Sequence, residues 1–501
     1  MSQLKKGAML SYFTIILTNG IGLLLTPLMI RSLGDAEYGL YTLIGALVGY
    51  ISVMDFGLNN SIVRFVARYR ALDEKENEEN FLATTMLIYM VISVAIMLIG
   101  IAMYFNIEAI FDNLTADEIS KAKIMFIILI FNLGITLPGG AFAAICSGYE
   151  RFVFPRALNI IKYIMRSIMV AGLLLIGQDS VAIVLLDTIL NILIIAIEVY
   201  YVIRILKVTI KLHHYDFSLV KEIFSYSVWI FVFAMVGQFQ WKAGQVILGM
   251  ISGTVAVGIY SVGIMLGTYY GAFSTAISGV FLPRATKMTF LNSTGAELTS
   301  MMIRIGRISL LVLLMILGGF LLYGRQFVHL WVPDTYRNSW LIALIVMVAY
   351  TIPLVQAFAN SILEAKNKFS FKAIVYIGLI FFGTVFGAWL AQFYGAVGII
   401  VGTTIGWILS QVIMNVYYNK VIGLDIIRFY KELLSGLFLT FAVVLLVGYA
   451  INFIPGNNWL NLIIKIGLYS AVFLILMARF GINKAEFQMF KEFIPISRFK
   501  K

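Results

Sequence analysis

The chain has 501 residues, of which 61% are hydrophobic and 12% are charged, whereas an ordinary soluble domain has roughly 25% charged residues. This composition excludes a soluble enzyme or a soluble binding domain and indicates a polytopic membrane protein. The single cysteine excludes an intrachain disulfide, and without a cluster of cysteines and histidines it also excludes a zinc site. The net charge of +12 is compatible with nucleic-acid binding, so the placement of the charges along the chain has to distinguish that role from membrane orientation.

Apolar runs of about 18 to 25 residues recur along the chain, and this length spans a hydrocarbon core of about 30 Å. The first run follows two lysines but lacks a small-residue cleavage site, so we interpret it as a span and not as a signal peptide. The runs predict an all-α membrane protein with about fourteen transmembrane helices, over Gly7–Ile30, Tyr38–Phe65, Phe81–Tyr104, Ile119–Cys146, Ala157–Ile176, Val181–Ile203, Ile223–Met250, Ala256–Leu282, Leu298–Tyr323, Trp340–Leu363, Phe371–Phe393, Ala396–Tyr418, Phe429–Ile451 and Trp459–Phe480.

Lysine and arginine are concentrated in alternate loops. If the N-terminus is cytoplasmic, the inner segments hold most of these residues, for example Arg64, Arg68 and Arg70, whereas the outer segments hold few. This alternation follows the positive-inside rule and predicts that both termini are cytoplasmic. The basic charge thus serves membrane orientation, and we expect no nucleic-acid partner. The last residues, 483–501, alternate basic and apolar side chains and are predicted to form an amphipathic tail on the anionic inner leaflet.

An internal repeat is visible at an offset of about 217 residues. Three short motifs recur in the same order: Gly34–Thr42 with Gly253–Ser261, Leu137–Pro138 with Ile352–Pro353, and Glu198–Tyr201 with Asn415–Tyr418. Six spans per half give both halves the same orientation, which is the parallel type of repeat that builds transporters with a central site. We therefore predict a first six-helix bundle over 1–210, a second over 211–422, two additional helices over 423–482, and the tail.

Four predicted spans carry polar residues on one helical face, too far from the helix ends to reach the interface easily. These stripes comprise Asp55 and Asn59; Asn159, Lys162 and Arg166; Asp187, Asn191 and Glu198; and Gln238, Lys242 and Gln245. The functional interpretation is a water-filled lumen in which Arg166, Lys242, Gln238 and Gln245 bind an anionic substrate, since lysine and arginine form strong charge-assisted hydrogen bonds with phosphate oxygens. The acids Asp55, Asp187 and Glu198 would balance charge or couple an ion.

A purely structural alternative stays open for these groups. Arg166 and Lys242 could pair with the acids and pin the helices together, and Glu198 could reach the interface. Arg31 and Arg64 lie at helix ends, where snorkelling is the commoner explanation, although both are candidates for binding the anionic substrate.

Other features have simpler interpretations. Gly263, Gly267 and Gly271 form a ridge of small residues that is typical of a close helix crossing. His213 and His214 have no acids at metal-ligand spacing, so we expect no metal site. The chain has no Walker loop, no nucleophile triad and no GxGxxG after a strand, which argues against an ATPase or a soluble-type enzyme.

The segment Arg31–Tyr41 (RSLGDAEYGLY), with Asp55–Leu58 (DFGL) and Arg64–Arg70 (RFVARYR), resembles the N-terminal signature of bacterial polysaccharide flippases of the O-antigen type. These belong to the multidrug/oligosaccharidyl-lipid/polysaccharide exporter superfamily. The segment Ala256–Ser261 resembles the start of the eighth span of the same family, and the span layout extends the resemblance over nearly the whole chain.

The resemblance implies two six-helix bundles in a V that opens alternately to either side of the bacterial cytoplasmic membrane. It implies a non-enzymatic flippase for undecaprenyl-diphosphate-linked oligosaccharide, working beside a polysaccharide polymerase and a chain-length regulator. It implies no cofactor and leaves coupling to H⁺ or Na⁺ open, because family members often have an acid near the position of Lys242. The alternatives are a cation-coupled multidrug antiporter of the same superfamily, or a membrane-embedded glycan polymerase or transferase.

Overall fold

The computed structural model describes residues 3–291, 293–366 and 368–482. This part of the chain is almost entirely helical and contains no strand, as the sequence predicts. The predicted tail, 483–501, lies outside the described residues. The α-helices are α1 Gln3–Leu33, α2 Asp35–Ser52, α3 Leu58–Ala71, α4 Lys75–Ile110, α5 Ala116–Gly148, α6 Val153–Leu175, α7 Ser180–Tyr200, α8 Phe217–Ile251, α9 Thr254–Phe290, α10 Gly295–Trp331, α11 Ser339–Val355, α12 Ala357–Ala365, α13 Phe369–Tyr417, α14 Ile426–Leu434, α15 Leu437–Ile451 and α16 Trp459–Leu476.

In the described part, twelve helical segments are long and apolar enough to span a membrane, and a bent pair in α8 makes a thirteenth. One of the twelve, Phe369–Ile422, has 54 residues, far more than the roughly 20 that one crossing needs. Its helix α13 contains a non-helical residue, Gly395, with φ 54° and ψ −134°, at the boundary predicted between spans eleven and twelve. If Gly395 separates two spans, the total is the predicted fourteen.

Three predicted spans are not continuous helices. The second span breaks after Asp55, where Phe56 and Gly57 adopt left-handed backbone conformations with φ of 52° and 71°. The tenth breaks at Gln356, between α11 and α12, and the thirteenth divides at Ser435 and Gly436, between α14 and α15. Hydropathy alone does not register these breaks, because two or three residues of turn leave the mean hydropathy of the span unchanged.

The chain divides into two compact units. The first extends to Ser261 and includes Ala391–Ala396, and the second comprises Val262–Leu390 and the chain from Val397 onward. In the first unit, α5 packs against α4, α7, α3 and α2, while α1 packs on α6. In the second unit, α10 is central and contacts α11, α14, α15 and α16. The predicted boundaries at 210, 422 and 482 stay predictions.

Each half of the chain contains the same local features about 217 residues apart. Wide π-helical turns end α7 at Tyr201–Ile205 and α13 at Tyr418–Ile422, and a third ends α16 at Met477–Gly481. Close to these turns, two aromatic pairs stack at equivalent positions: Phe154 on Tyr201, with ring centroids 3.8 Å apart, and Phe371 on Tyr417, at 4.2 Å. The repeat seen in the sequence is therefore also a repeat of local structure.

Candidate functional site

A cavity of about 690 Å³ lies in the first unit between α1, α5, α6 and α7. The predicted stripe of α6 lines this cavity, and so do Asp187 and Asn191 of the α7 stripe. Ten of the lining residues are polar or charged: Thr14, Thr18, Asn132, Arg156, Asn159, Lys162, Tyr163, Arg166, Asp187 and Asn191. The helical periodicity that suggested two polar faces thus identified two walls of one cavity.

Arg166 and Asp187 form a two-pronged ion pair across this cavity. The Nε atom of Arg166 lies 2.5 Å from Oδ1 of Asp187, and Nη2 donates to Oδ2 at 2.8 Å. Nη2 also donates to the hydroxyl of Tyr41, at 3.2 Å. The two side chains remain 20% and 23% exposed, so the pair faces the cavity and is not sealed in the core. These contacts agree with the structural alternative, in which Arg166 pairs with an acid.

Lys162 has a different environment. Its Nζ donates to Oδ1 of Asn191, and Nδ2 of Asn191 donates to Oδ1 of Asn132 at 3.0 Å. Arg156, one turn before Asn159 on the same helix, lies 5.9 Å from the ring of Phe152. Within the described ranges, neither Lys162 nor Arg156 forms an ion pair with a carboxylate. Two cationic groups in this cavity therefore lack the direct ion pair that Asp187 gives Arg166.

Asp55 lies at the break between α2 and α3. The hydroxyl of Tyr89, on α4, donates to Oδ1 of Asp55 at 2.8 Å and contacts Oδ1 of Asn59 at 3.1 Å. In the described residues Asp55 pairs with no cation. The third predicted acid, Glu198, is only 4% exposed and likewise forms no ion pair there. Their predicted role in charge balance or ion coupling stays a prediction.

The stripe of α8 lies against α2 and the first turns of α9. Nε2 of Gln245 donates to the hydroxyl of Ser261 at 2.7 Å, and that hydroxyl contacts Oγ1 of Thr42 at 3.1 Å. The backbone oxygen of Gln238 accepts a bond from the hydroxyl of Tyr50 at 3.3 Å. Lys242 is half-buried and makes no hydrogen bond or ion pair with any described residue. It does not line the cavity of the first unit.

Arg31 and Arg64 are exposed on helix surfaces and are not among the residues that line the cavity. The structure thus brings Arg166 together with Asp187, and places Lys242, Gln238 and Gln245 in a second group. The roles of all these residues in substrate binding stay predictions. His213 contacts Glu79, with Nε2 and Oε2 2.8 Å apart, and the described residues contain no group of three or more possible metal ligands.

Arg156, Asn132 and Tyr89 are site residues that the sequence alone does not reveal. In the sequence Arg156 resembles one more cytoplasmic charge at the end of a span, yet it lies three residues before Asn159 and extends the same stripe. Asn132 is 9% exposed, and in the sequence of α5 only the short side chain of Thr136, one turn later, accompanies it on the same face, which is a weak periodic signal. Tyr89 is completely buried and resembles any core aromatic until Asp55 is placed beside it.

A comparison with protein families matches residues 4–289, more than half of the chain, to the family described as polysaccharide biosynthesis protein. A protein of Shigella flexneri described as "Putative O-antigen transporter" is 23% identical over 409 residues, which cover 78% of this chain and 91% of that protein.

Two solved structures share the fold. The inward closed conformation of the lipid II flippase MurJ has a TM-score of 0.69 at 16% identity and covers 94% of this chain and 98% of its own. An inward-facing multidrug resistance transporter of the MATE family has a TM-score of 0.63 at 14% identity, with coverages of 86% and 98%. With its many apolar helices, the chain is a multi-pass membrane protein that belongs to the polysaccharide biosynthesis protein family, within the exporter superfamily that its sequence resembles.

Proposed function

We propose that this protein is a flippase that moves undecaprenyl-diphosphate-linked oligosaccharide from the inner to the outer leaflet of the bacterial cytoplasmic membrane, by alternating access, for cell-surface polysaccharide synthesis. The family supports a role in polysaccharide synthesis. The relatives described as an O-antigen transporter and as a lipid II flippase support transport of a lipid-linked saccharide.

The observation that carries the proposal is the environment of Lys242. At 1.5 Å per residue, it lies about 14 Å from the end of α8 at Ile251, farther than a lysine side chain extends. A charged side chain within the membrane normally faces a cavity or a partner, because burying it in hydrocarbon costs roughly 2.5–3.5 kcal/mol on insertion scales. Since no described residue pairs with Lys242, we assign it to an anionic group of the substrate.

The diphosphate of a lipid-linked glycan meets this requirement. Such a headgroup cannot cross hydrocarbon unaided, because moving an unpaired charge out of water is very costly. Lysine at this position lowers that cost through charge-assisted hydrogen bonds to phosphate oxygens. In this scheme Gln238 and Gln245, on the same face of α8, offer amides to the sugar next to the diphosphate, and Arg31 and Arg64 bind it near the membrane surfaces.

The lipid tail would stay in the bilayer while the head crosses, so membrane lipids surround the substrate throughout. The flipped product would pass to a polysaccharide polymerase working with a chain-length regulator. Asp55 and Glu198 are the groups we propose for coupling to H⁺ or Na⁺, because both are shielded acids that form no direct ion pair in the described part of the chain.

The test uses the purified protein in vesicles that contain undecaprenyl-diphosphate oligosaccharide with a fluorescent sugar, quenched from outside by dithionite. We expect the wild-type protein to make the inner pool accessible, and Lys242→Gln to slow this at least about tenfold, the loss expected for one charge-assisted contact. Lys366→Gln is the matched control, since Lys366 is exposed and this variant should flip at the wild-type rate.

Two results would overturn the proposal. Vesicles that transport a cationic dye but leave the labelled lipid-linked glycan on its original side would indicate the multidrug antiporter. Extension or transfer of the glycan by the purified protein would indicate the polymerase or transferase.

A further inference from the structure

A second concave site, the α4–α5 groove, has a volume of about 330 Å³ and shares no lining residue with the polar cavity. Its lining side chains are apolar or aromatic, and they include Ile101, Tyr104 and Phe105 of α4 and Phe126, Ile127 and Ile130 of α5. Phe105 is 74% exposed and Ile127 is 52% exposed, although both belong to segments that span the membrane. The groove therefore opens toward the hydrocarbon of the bilayer.

The groove is closed at its deep end, where two glycines let the helices meet. A Cβ atom on Gly100 would lie 2.6 Å from Cγ2 of Ile130, and one on Gly134 would lie 2.6 Å from Cε of Met97. Met97 is eleven residues before Glu108 near the end of α4, which is about 16 Å along the helix axis. Since the hydrocarbon core is about 30 Å thick, the groove extends through one leaflet.

One cation and one anion lie at the open end of the groove. Nζ of Lys123, on α5, is 2.5 Å from Oε1 of Glu108, on α4, and 5.6 Å from the ring centre of Tyr104. Lys123 precedes Phe126 by three residues, and Glu108 follows Phe105 by three. Residues at this spacing share a helical face, so both charges lie one turn from the apolar lining.

This end of the groove favours a headgroup that has both signs of charge. The side chain of Glu108 is 63% exposed, and an ion pair in such a setting contributes little to stability. A zwitterionic headgroup can replace it and give each side chain a partner of opposite charge. A purely anionic headgroup is disfavoured, because residues 108–123 contain four acids and two lysines.

From this arrangement we propose that the α4–α5 groove is a binding site for phosphatidylethanolamine. One acyl chain fills the groove, the phosphate accepts a hydrogen bond from Nζ of Lys123, and the ammonium donates to the carboxylate of Glu108. Both are charge-assisted hydrogen bonds. The site goes beyond the proposed function and does not rest on it, since the glycan takes no part in this contact.

The polyprenyl chain of the proposed substrate is the other hydrocarbon that the bilayer supplies. It is much longer than an acyl chain, whereas the groove closes at Gly100 within one leaflet. Its phosphate groups bring negative charge without an ammonium for Glu108. Both the length of the groove and its charges therefore favour the phospholipid.

The test measures lipid binding to the purified full-length protein by native mass spectrometry. The probes are dioleoyl phosphatidylethanolamine, dioleoyl phosphatidylglycerol, dioleoyl phosphatidylcholine and undecaprenyl phosphate. We expect phosphatidylethanolamine to bind about tenfold more tightly than phosphatidylglycerol, the gain from one charge-assisted contact. Phosphatidylcholine should also bind more weakly, because its quaternary ammonium has no N–H to donate.

Variants at the open end separate the two contacts. Lys123→Gln should weaken phosphatidylethanolamine binding about tenfold, whereas Lys123→Arg should retain it. Glu108→Gln should remove the preference for phosphatidylethanolamine over phosphatidylglycerol. Arg337→Gln is the matched control, since it removes an exposed cation elsewhere and should leave binding unchanged.

A second pair of variants tests the groove itself. Ile101→Trp places a large ring in the groove and should reduce phosphatidylethanolamine binding about tenfold. Leu98→Trp is the control on the same helix, because Leu98 is 63% exposed and does not line the groove.

Four results would overturn the inference: equal binding of the three phospholipids, tighter binding of undecaprenyl phosphate, unchanged binding in both Lys123→Gln and Glu108→Gln, or equal losses in Ile101→Trp and Leu98→Trp. Loss of binding in Lys123→Arg would do the same, because that variant keeps the charge. None of these results involves flipping, so failure of this site leaves the proposed function standing, and a protein that flips nothing can still show the lipid site.

Discussion

At the scale of single residues, the ion pair of Arg166 and Asp187 is a contact that the sequence left open as one of two alternatives. A lone arginine in a predicted span is a reasonable candidate for binding an anion. In the structure its Nε and Nη2 atoms are engaged by a carboxylate and by the hydroxyl of Tyr41. These bonds fix the guanidinium beside the cavity, and its role in substrate binding stays a prediction.

We predict that Asp187→Asn lowers the stability of the protein by about 1–3 kcal/mol, since it leaves part of a half-buried guanidinium without its charged acceptor. Arg166→Gln should have a similar effect, and the double variant should lose less than the sum of the two. Thermal unfolding of the wild type, the two single variants and the double variant in detergent measures these changes in stability. Strict additivity of the two single effects would show that the pair contributes no interaction energy.

Arg307 is a second residue whose role is visible only in the structure. It is 6% exposed, and its Nη1 donates to the backbone oxygens of Glu432 at 2.6 Å and Ser435 at 2.8 Å. Its Nη2 donates to the backbone oxygen of Gly481 at 3.0 Å. One guanidinium therefore joins α10 to the ends of two of the additional helices.

Arg307→Lys should lower stability by about 1–3 kcal/mol. The ammonium of lysine is a compact point charge, whereas the planar guanidinium of arginine reaches the carbonyls of α14 and of Gly481 at the same time. The matched control is Arg304→Lys on the exposed side of the same helix. Limited proteolysis between α14 and α16, together with the melting temperature, provides the measurement. Equal protease resistance in the two variants would contradict the assignment.

At the scale of helices, the glycine ridge of α9 is confirmed as a close crossing. A Cβ atom on Gly263 would lie 2.6 Å from Cγ2 of Ile342, and one on Gly267 would lie 2.7 Å from Cβ of Val346. Both neighbours belong to α11. Ridges of small residues allow this approach because helix association in membranes depends mainly on close packing.

Gly267→Leu should separate α9 from α11 and cost about 1–3 kcal/mol, the usual penalty of overpacking. Gly378→Leu is the matched control in the same unit, since nothing lies within 4 Å of a Cβ at that position. The melting temperatures of the two variants in detergent measure this loss of stability. If the melting temperature falls equally in both variants, the bulk of leucine alone explains the effect and the helix crossing does not.

The break between α2 and α3 depends on backbone conformation. Gly57 has a φ of 71°, which costs residues with a side chain about 1–2 kcal/mol, and a Cβ there would lie 2.5 Å from Cγ2 of Ile230. Phe56 next to it stacks on Phe231, with ring centroids 4.6 Å apart. The packing of α8 against Phe56 and Gly57 therefore stabilises the break.

We expect Gly57→Ala to destabilise the protein and to reduce glycan flipping, because the break positions Asp55 against Tyr89. Gly45→Ala, on α2 with nothing within 4 Å of its Cβ, should be neutral or slightly stabilising. Thermal unfolding and the dithionite assay measure both effects. Wild-type behaviour of Gly57→Ala in the two assays would mean that the break has no role.

At the scale of the whole molecule, the distribution of lysine and arginine predicts that both termini are cytoplasmic. In a Cys146→Ser background the chain has no cysteine, so single cysteines report the topology. Asn457→Cys should react with an impermeant maleimide in intact cells, whereas Lys366→Cys should react only after permeabilisation. The opposite pattern would invert the predicted orientation.

The sequence by itself determined the membrane class, the approximate number of apolar segments, the repeat at about 217 residues and the family. These properties depend on composition and on periodicity along one segment, and both are local. The polar stripes of α6 and α7 were also predictable, because residues on one helical face are set by a period of 3.6. The helix breaks were not, since a left-handed Phe56 has no strong sequence signature.

Only the tertiary structure decided which polar stripes contact each other across helices. It joined Arg166 to Asp187, left Arg156 and Lys162 without a direct ion pair within the described residues, and placed Lys242 outside the cavity that these cations line. Pairing between helices depends on their rotation and register in the bundle, to which distant segments all contribute. Hydropathy within one helix cannot encode those angles, so the identity of each charge's partner is a property of the assembled fold.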